Sequence, residues 1–347
     1  MKNKILITMG DPAGIGPEII LKFYKDFFSK SGNNFIPVVV GDKEILKYYI
    51  GKYNLDLKVE DILGNYKNRE EIKNIISKNI IPIINVEHKT IDENIAKAKE
   101  LEIGIPTKQS GKMSMLYIEK ALELTKDKTF DAMVTAPISK EAINLAGYHY
   151  SGHTSFLADN TNTKNYAMIL KGDKITVVLN TTHLSLNDAI KKVKKENILK
   201  KIKLANKAKK LLGIKTKIAV SGLNPHNGEG GLFGDEEIKE ILPAVEEAKK
   251  LGIEVEGPIV PDTLFVRMLK DEFNIAVVMY HDQGLIPMKM ESFGLGVNIT
   301  VGLPIIRTSV DHGTAYDIAG KNLADYGSLK KAVGVANIII ENSLGMD

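Results

Sequence analysis

Six of the seven histidines fall between positions 149 and 312, and three of them stand in polar, turn-rich stretches just after or near strand patterns. These are His183 in NTTHL, His226 in NPHNGEGG and His281 in MYHDQG. Three neutral imidazoles brought from separate loops can hold a divalent metal and leave a position open for substrate oxygens. Spacing alone does not select that reading, since there is no HExxH signature and each histidine taken singly is explained as well by loop hydrogen bonding or packing. The stretch DPAGIGPE at 11–18 follows a strand pattern and opens a helix, so its glycines permit close approach and its free amides favour an anion. It fits neither GxGxxG nor GxxxxGK[ST], which leaves a plain strand-to-helix turn as an equal reading. Gly152, His153, Thr154 and Ser155 put an imidazole and two hydroxyls in one short loop, and Lys289, Asn298 and Arg307 are polar groups in apolar or glycine-rich surroundings. Such cations and small donors suit a phosphorylated or carboxylated metabolite, although each alone is more often a surface group. The segment DHGTAYDIAGKN at 311–322 combines small residues with polar groups able to contact a ribose or adenine; a glycine-limited junction is its bland alternative. GIPTKQSG at 104–111 reads either as a further ligand loop or as a connector.

The elements that must carry these residues are short apolar strands alternating with helix-length segments. Strands are expected at Lys4–Thr8, Phe35–Val40, Ala132–Thr135, Lys217–Ser221, Ile275–Tyr280 and Val297–Val301. Helices are expected at Glu18–Phe28, Lys43–Ile50, Ile91–Glu100, Gly111–Leu124, Leu186–Leu212 and Glu236–Leu251. Tyr166–Leu170 and Lys174–Leu179, separated by Lys171-Gly172-Asp173, form an expected hairpin, hence a second sheet with antiparallel members. This alternation predicts an α/β fold whose loops sit at strand ends, where such sheets carry ligands. A length of 347 residues, at roughly 150 per domain, predicts two lobes around a cleft. The expected division is 1–130 plus 305–347 for the first lobe and 131–304 for the second.

Composition narrows the function classes. A formal net charge of +4 does not argue for nucleic acid, and the lysine runs at 191–195 and 207–210 alternate with apolar residues as a solvated helix face does. The absence of Trp weakens any base-stacking or carbohydrate platform. With no Cys there are no disulfides, thiolate chemistry or cysteinyl metal sites. The short apolar run before Gly10 is too brief for a signal-peptide core and nothing approaches 18 uninterrupted apolar residues, so the expectation is a cytoplasmic chain without a membrane partner.

The chain resembles the PdxA family of pyridoxal phosphate biosynthesis, the 4-hydroxythreonine-4-phosphate dehydrogenases. The motifs that carry the resemblance run in order through almost the whole chain: TMGDPAGIGPE, SGHTSFLAD, TTHLSL, GLNPHNGEGGLFGDEE, GPIVPDTLF, MYHDQGLIPMK and VNITVGLPIIRTSVDHGTAYDIAG. The resemblance implies two α/β/α lobes of the isocitrate and isopropylmalate dehydrogenase type, and a homodimer whose active site borrows residues across the interface. It implies a metal triad at His183, His226 and His281, and substrate contacts at His153, Thr154, Lys289, Asn298 and Arg307. Lys289 and Asp262 become the candidates for proton handling and charge neutralisation. By analogy with the wider β-decarboxylating dehydrogenases, His312, Gly313, Thr314 and Asn322 would surround the adenosine of NAD or NADP, with Gly14, Gly16 and Glu18 facing the cleft. Zinc suits three imidazoles best, with Mg, Mn or Co as substitutes.

The implied reaction is oxidation of the C3 alcohol of 4-phosphohydroxy-L-threonine by NAD(P), followed by loss of CO2 to give 3-amino-2-oxopropyl phosphate. The alternative substrates are 4-phospho-D-threonate and 4-phospho-D-erythronate, phosphorylated four-carbon acids of sugar-acid catabolism in which hydroxyl replaces the amine. Two features lean toward that alternative: the stretch TNTKNYAMILKGDKITVV resembles the catabolic relatives, and Ser155 stands where many members carry Glu. A metabolite-binding scaffold and a metal hydrolase on the same fold are further readings, disfavoured by the intact histidines and the cofactor-like loop.

Overall fold

A computed structural model describes residues 2–30, 32–86 and 101–345. The helix expected at 91–100 lies outside them. In chain order the elements begin β1 (Asn3–Thr8), α1 (Gly16–Phe28), β2 (Phe35–Gly41), α2 (Lys43–Lys52), β3 (Lys58–Asp61), α3 (Arg69–Ser77) and β4 (Ile80–Asn85). They continue with α4 (Lys108–Lys126), β5 (Ala132–Thr135), α5 (Lys140–Leu145), α6 (His153–Asn160), β6 (Ala167–Lys171), β7 (Thr176–Leu179), α7 (Leu186–Lys191), α8 (Lys195–Leu211) and β8 (Ile218–Ser221). The remainder is α9 (Leu242–Lys250), β9 (Val255–Ile259), α10 (Pro261–Leu269), β10 (Ile275–Val278), α11 (His281–Ser292), β11 (Val297–Val301), β12 (Arg307–Val310) and α12 (Gly327–Ser343). No helix among the described residues is long and apolar enough to cross a membrane.

The chain divides into two units, one of residues 1–162 and 303–340, the other of 163–302 and 341–347. In the first unit the strands run β3, β4, β2, β1, β5, β12, and all their pairings are parallel. Every residue of β1 and β5 is buried, as expected of parallel strands with both faces covered. Residues 131–162 therefore belong to the first unit and not, as the sequence suggested, to the second: β5 takes its place between β1 and β12. The register aligns Thr8 with Thr135 and Thr135 with Ser309, a row of hydroxyls at the carboxyl ends of three neighbouring strands. In parallel α/β sheets ligands bind beyond these ends.

In the second unit the order is β11, β6, β7, β10, β8, β9. The expected hairpin is β6 and β7, and β6 is antiparallel to β11 as well, whereas β7, β10, β8 and β9 pair in parallel. Val177, Leu179, Ala219, Ala276 and Val278 from three of these strands meet Leu264, Met268 and Met288 from α10 and α11 in one core. Two long helices expected from periodicity are each interrupted. The stretch 186–212 breaks at Lys192–Lys194, where Val193 is buried, Lys194 is extended, and the amide of Lys195 turns to the carboxylate of Glu240. The stretch 236–251 opens with a π-helical turn at Glu237–Ile241 before α9; Pro243, at the start of α9, has no amide to offer the preceding turn.

Candidate active site

Arg307 is the first residue of β12 and is only 2% exposed. Its Nη2 donates to Thr135 Oγ1 at 2.8 Å and its Nη1 reaches Thr154 Oγ1 at 3.5 Å. Burial pulls the guanidinium down to about 9 from its ordinary value. His153 begins α6; burial first, and the Arg307 cation second, hold its imidazole well below the usual histidine range, so it is neutral. The Nε2 of His153 and the hydroxyl of Thr8 are buried with no hydrogen-bond partner among the described residues. Gly152 precedes α6 with φ 147°, where a side chain would be strained, and supplies no capping group to the first-turn amides. Ser155 closes this turn on itself: its Oγ donates to the Gly152 carbonyl at 3.0 Å and accepts from the Ser151 amide at 3.1 Å. A cation, hydroxyls, a neutral imidazole and a helix start thus face one place, the donor set for a phosphate. Composition could not reveal Thr135, which is recruited only because the sheet register sets it beside Arg307.

A second cluster is built around Asp11. Its buried carboxylate accepts from the Ala13 amide at 2.8 Å, the Tyr316 hydroxyl at 2.7 Å and the Ser110 hydroxyl at 3.2 Å. Burial raises Asp11 above the usual carboxylate range, and the Tyr316 phenol is raised by burial and by the adjoining Asp11 charge. These bonds tie the 11–15 turn and the start of α4 to the 312–316 loop, and the Ile15 amide adds a bond to the Thr314 carbonyl at 3.0 Å. The glycines of the turn do not leave room for a ligand as expected. A Cβ on Gly16 would stand 2.0 Å from the Met9 carbonyl oxygen, and one on Gly14 would stand 2.9 Å from that of Thr314. Glu18 is likewise committed inward, accepting from the amides of Ala324 at 2.8 Å and Asn322 at 3.2 Å, from the Tyr53 hydroxyl and from Lys22 Nζ. Gly14 and Glu18 therefore brace the 312–324 segment from behind, while Gly16 packs on the Met9 backbone. Gly104 is also a packing glycine, its amide bonded to the Ala13 carbonyl at 2.8 Å. Among the described residues nothing stands within 4 Å of a Cβ added at Gly313, and the buried Nε2 of His312 has no partner among them. An unused imidazole nitrogen beside an unobstructed glycine fits a loop that receives part of a dinucleotide.

The other candidates lie in the second unit. The rings of His183 and His281 face each other with centroids 5.6 Å apart. Two imidazoles on one tetrahedral ion, with N–metal distances of about 2 Å, place their centroids roughly 5 Å apart, so the pair fits a metal. His281 Nδ1 is bonded to Asp282 Oδ1 at 2.7 Å, so Nε2 is the nitrogen it could offer to a metal. Asp282, adjacent in sequence, is the readable signal for this ring orientation. His226 does not join them: among the described residues no three His, Cys, Asp or Glu side chains stand together as a metal-binding group. Residues 226–230 all have positive φ, and the His226 side chain remains 64% exposed, 3.6 Å from Glu229 Oε1. Asn298 sits on β11 with its Oδ1 buried and without a partner among the described residues; Lys289 on α11 and Asp262 in the first turn of α10 are exposed.

Known proteins carry the same framework. Residues 33–336 match the family described as pyridoxal phosphate biosynthetic protein PdxA. The 4-hydroxythreonine-4-phosphate dehydrogenase of Aquifex aeolicus is 43% identical over 98% of this chain and 99% of its own. The D-threonate 4-phosphate dehydrogenase of Salmonella typhimurium is 41% identical over 96% and 97%. The crystal structure of 4-hydroxythreonine-4-phosphate dehydrogenase from Klebsiella pneumoniae superimposes with a TM-score of 0.83 at 37% identity, covering 98% of each chain. A match of this length, shared by sequence and fold alike, leaves one conclusion: the chain belongs to the PdxA family.

Proposed function

We propose that this enzyme, an NAD(P)-dependent dehydrogenase acting on substrates of the 4-phosphohydroxythreonine or phosphothreonate type, oxidises and decarboxylates 4-phosphohydroxy-L-threonine to 3-amino-2-oxopropyl phosphate. The observation that carries the reading is the desolvated Arg307 guanidinium hydrogen-bonded to Thr135 and set beside the neutral His153. A phosphate there gains charge-assisted bonds from Arg307, a bond from Thr154, and the capless amides that open α6. His153 Nε2, neutral and without a partner among the described residues, is the further group placed to hydrogen-bond a phosphate oxygen.

Bound NAD(P) would supply the hydride acceptor for the C3 alcohol, and a divalent metal would supply Lewis-acid polarisation of the alcohol oxygen and an electron sink for decarboxylation. His183 and His281 would hold that metal; His226, which stands apart from them among the described residues, is assigned as third ligand on the sequence resemblance alone, and zinc is the ion we assign, with Mg, Mn or Co able to replace it. The protein's own part is alignment. Arg307 and Thr154 anchor the phosphate end, Asn298 offers its amide to the substrate, and Lys289 and Asp262 handle charge and protons as the C3 hydroxyl loses its proton and the carboxylate leaves as CO2. His312, Gly313, Thr314 and Asn322 line the coenzyme's adenosine side.

The functional form is a homodimer whose active site draws on both protomers. Exposed apolar side chains support it: Leu232, Phe233 and Ile238 beside the His226 loop, and Ile286, Met290 and Phe293 along α11. A cytoplasmic location completes the reading, resting on the cysteine-free composition.

The second reading, oxidation of 4-phospho-D-threonate or 4-phospho-D-erythronate, is favoured by near-equal identity to relatives of both names and by Ser155, whose hydroxyl is spent within its own turn. Turnover at 340 nm with NAD and NADP, on each of the three substrates with and without added divalent metal, decides between them. Preference for the amino substrate supports the first reading; preference for either phosphosugar acid replaces it with the second.

A further inference from the structure

We infer that Gln283 is a positioning residue that sets the spacing of the histidine-bearing loops in the second unit; the inference rests on the metal reading above. His183, His226 and His281 follow the carboxyl ends of β7, β8 and β10, and these ends are joined by a chain of buried side-chain hydrogen bonds. Thr181 Oγ1 donates to the Met279 carbonyl at 2.9 Å. The Met279 amide donates to Gln283 Oε1 at 2.7 Å, and Gln283 Nε2 donates to the Gly222 carbonyl at 2.8 Å. Beyond Gly222 the amides of Leu223 and Asn224 both donate to Glu237 Oε1 at 2.7 Å, and the Asn224 side chain donates to Glu237 Oε2 at 2.9 Å. Thr181, Gln283 and Glu237 are all buried.

The placement explains why these side chains are polar. β8 ends at Ser221 and β10 at Val278, so the backbone groups of Gly222 and Met279 stand one residue past the ladder and need other partners. A primary amide offers a donor and an acceptor on one rigid plane, which lets Gln283 span both strand ends at once. Met279 has both backbone polar atoms taken, its carbonyl by Thr181 beyond the β7 end and its amide by Gln283 in the first turn of α11, whose other amide atom reaches the β8 end at Gly222. Movement of the β10 end relative to either neighbour breaks a buried bond, so the turn leading to His226 and the helix start at His281 hold a fixed separation. Groups that orient metal ligands from behind affect metal affinity by about 10–100-fold.

The test is titration of the full-length apoprotein with Co2+ alone, read by its visible absorption, for wild type, Gln283→Met and Phe273→Leu, with melting temperatures for each. Phe273 is buried in the same unit's core and touches none of these loops' hydrogen bonds, so it reports general destabilisation. The expected result is a Co2+ dissociation constant raised about 10–100-fold in Gln283→Met and changed less than about threefold in Phe273→Leu, even where the latter melts lower. Should Gln283→Met fail to fold, Thr181→Val removes one hydroxyl of the same chain and is expected to weaken Co2+ about 3–10-fold. Equal shifts in the position and core variants, or Co2+ affinity unchanged in Gln283→Met, overturn the inference while leaving the metal site standing. A wild type that does not bind Co2+, or whose binding survives both His183→Ala and His281→Ala, overturns the metal reading and this inference together.

Discussion

The guanidinium of Arg307 on β12 is held 2.8 Å from the hydroxyl of Thr135 on the adjoining strand β5, with the neutral imidazole of His153 close enough to feel its charge. This desolvated cation is the organising feature of the first unit, and its behaviour without substrate can be measured.

Even lowered to about 9, the Arg307 guanidinium keeps its proton at pH 7, so an anion beside it offsets the cost of its burial. Inorganic phosphate at about 100 times its dissociation constant should add about 2.7 kcal/mol of stability, a rise of several degrees in melting temperature. Arg307→Met should abolish that rise and lower kcat/KM by about 10^2–10^3, the worth of a charge-assisted bidentate contact. A phosphate effect that persists in Arg307→Met would place the anion elsewhere.

His153 titrates lower in the folded chain than its ordinary 6.5. Between the two values the unfolded chain binds the extra proton, so this contribution is intact above pH 6.5 and is lost as the pH falls below it. Chemical denaturation at pH 7 and pH 5 should show wild type losing more stability than His153→Gln over that interval. Parallel losses would mean that His153 is protonated in the folded state.

Gly14 and Gly16 should separate two functions of one turn. A methyl group on Gly16 meets the Met9 backbone, and Gly16→Ala should cost about 3 kcal/mol or more and express poorly. On Gly14 it presses on Thr314, and Gly14→Ala should fold but raise KM for NAD(P) about tenfold, with the phosphate effect intact. Fluorescence titration of NADH and NADPH would show this directly; unchanged coenzyme affinity would detach the 312–316 loop from coenzyme binding.

Tyr316→Phe removes the 2.7 Å bond to the buried Asp11 and should cost about 1–3 kcal/mol, since it deprives a desolvated carboxylate of a donor. Because burial raises Asp11, the cost of its charge is felt above its folded pKa and fades as the pH falls through that value. The deficit of Tyr316→Phe should therefore shrink toward acid pH, measured as the stability difference from wild type at pH 7 and pH 4.5. A constant deficit would assign the bond a packing role only.

How much of this was legible in the sequence depends on whether a residue's role is local. The strands at β1, β5 and β11 and the hairpin of β6 and β7 were visible as apolar runs and a turn. β3, with its exposed and charged KVED, and β4, with Pro82 inside it, were not visible, because pairing in the sheet rather than their own pattern makes them strands. His153, Arg307, His183 and His281 stood out by residue type, because an imidazole or a guanidinium in a polar loop is conspicuous whatever surrounds it. Thr135, Gln283 and Glu237 did not stand out, since they act through register and loop ends far apart in sequence. The glycines of the 11–18 turn were legible as glycines but not in purpose: only the packed neighbours show that Gly16 is filled by protein and that Glu18 points inward.

The first unit is assembled from both ends of the chain, and Asn3 is bonded to Asn337 at 2.9 Å to close it. On the ribosome, β5 waits with one edge unpaired while the whole second unit is synthesised, roughly 10–30 s at 5–20 residues per second. The second unit's sheet, by contrast, is contiguous and can fold as it emerges. Arg307, first residue of the strand that covers the β5 edge, arrives last, so the anion pocket is also the lock on that edge. Truncation or stalling before residue 307 would leave a nascent chain with an open sheet edge, a substrate for chaperones rather than a partially active enzyme.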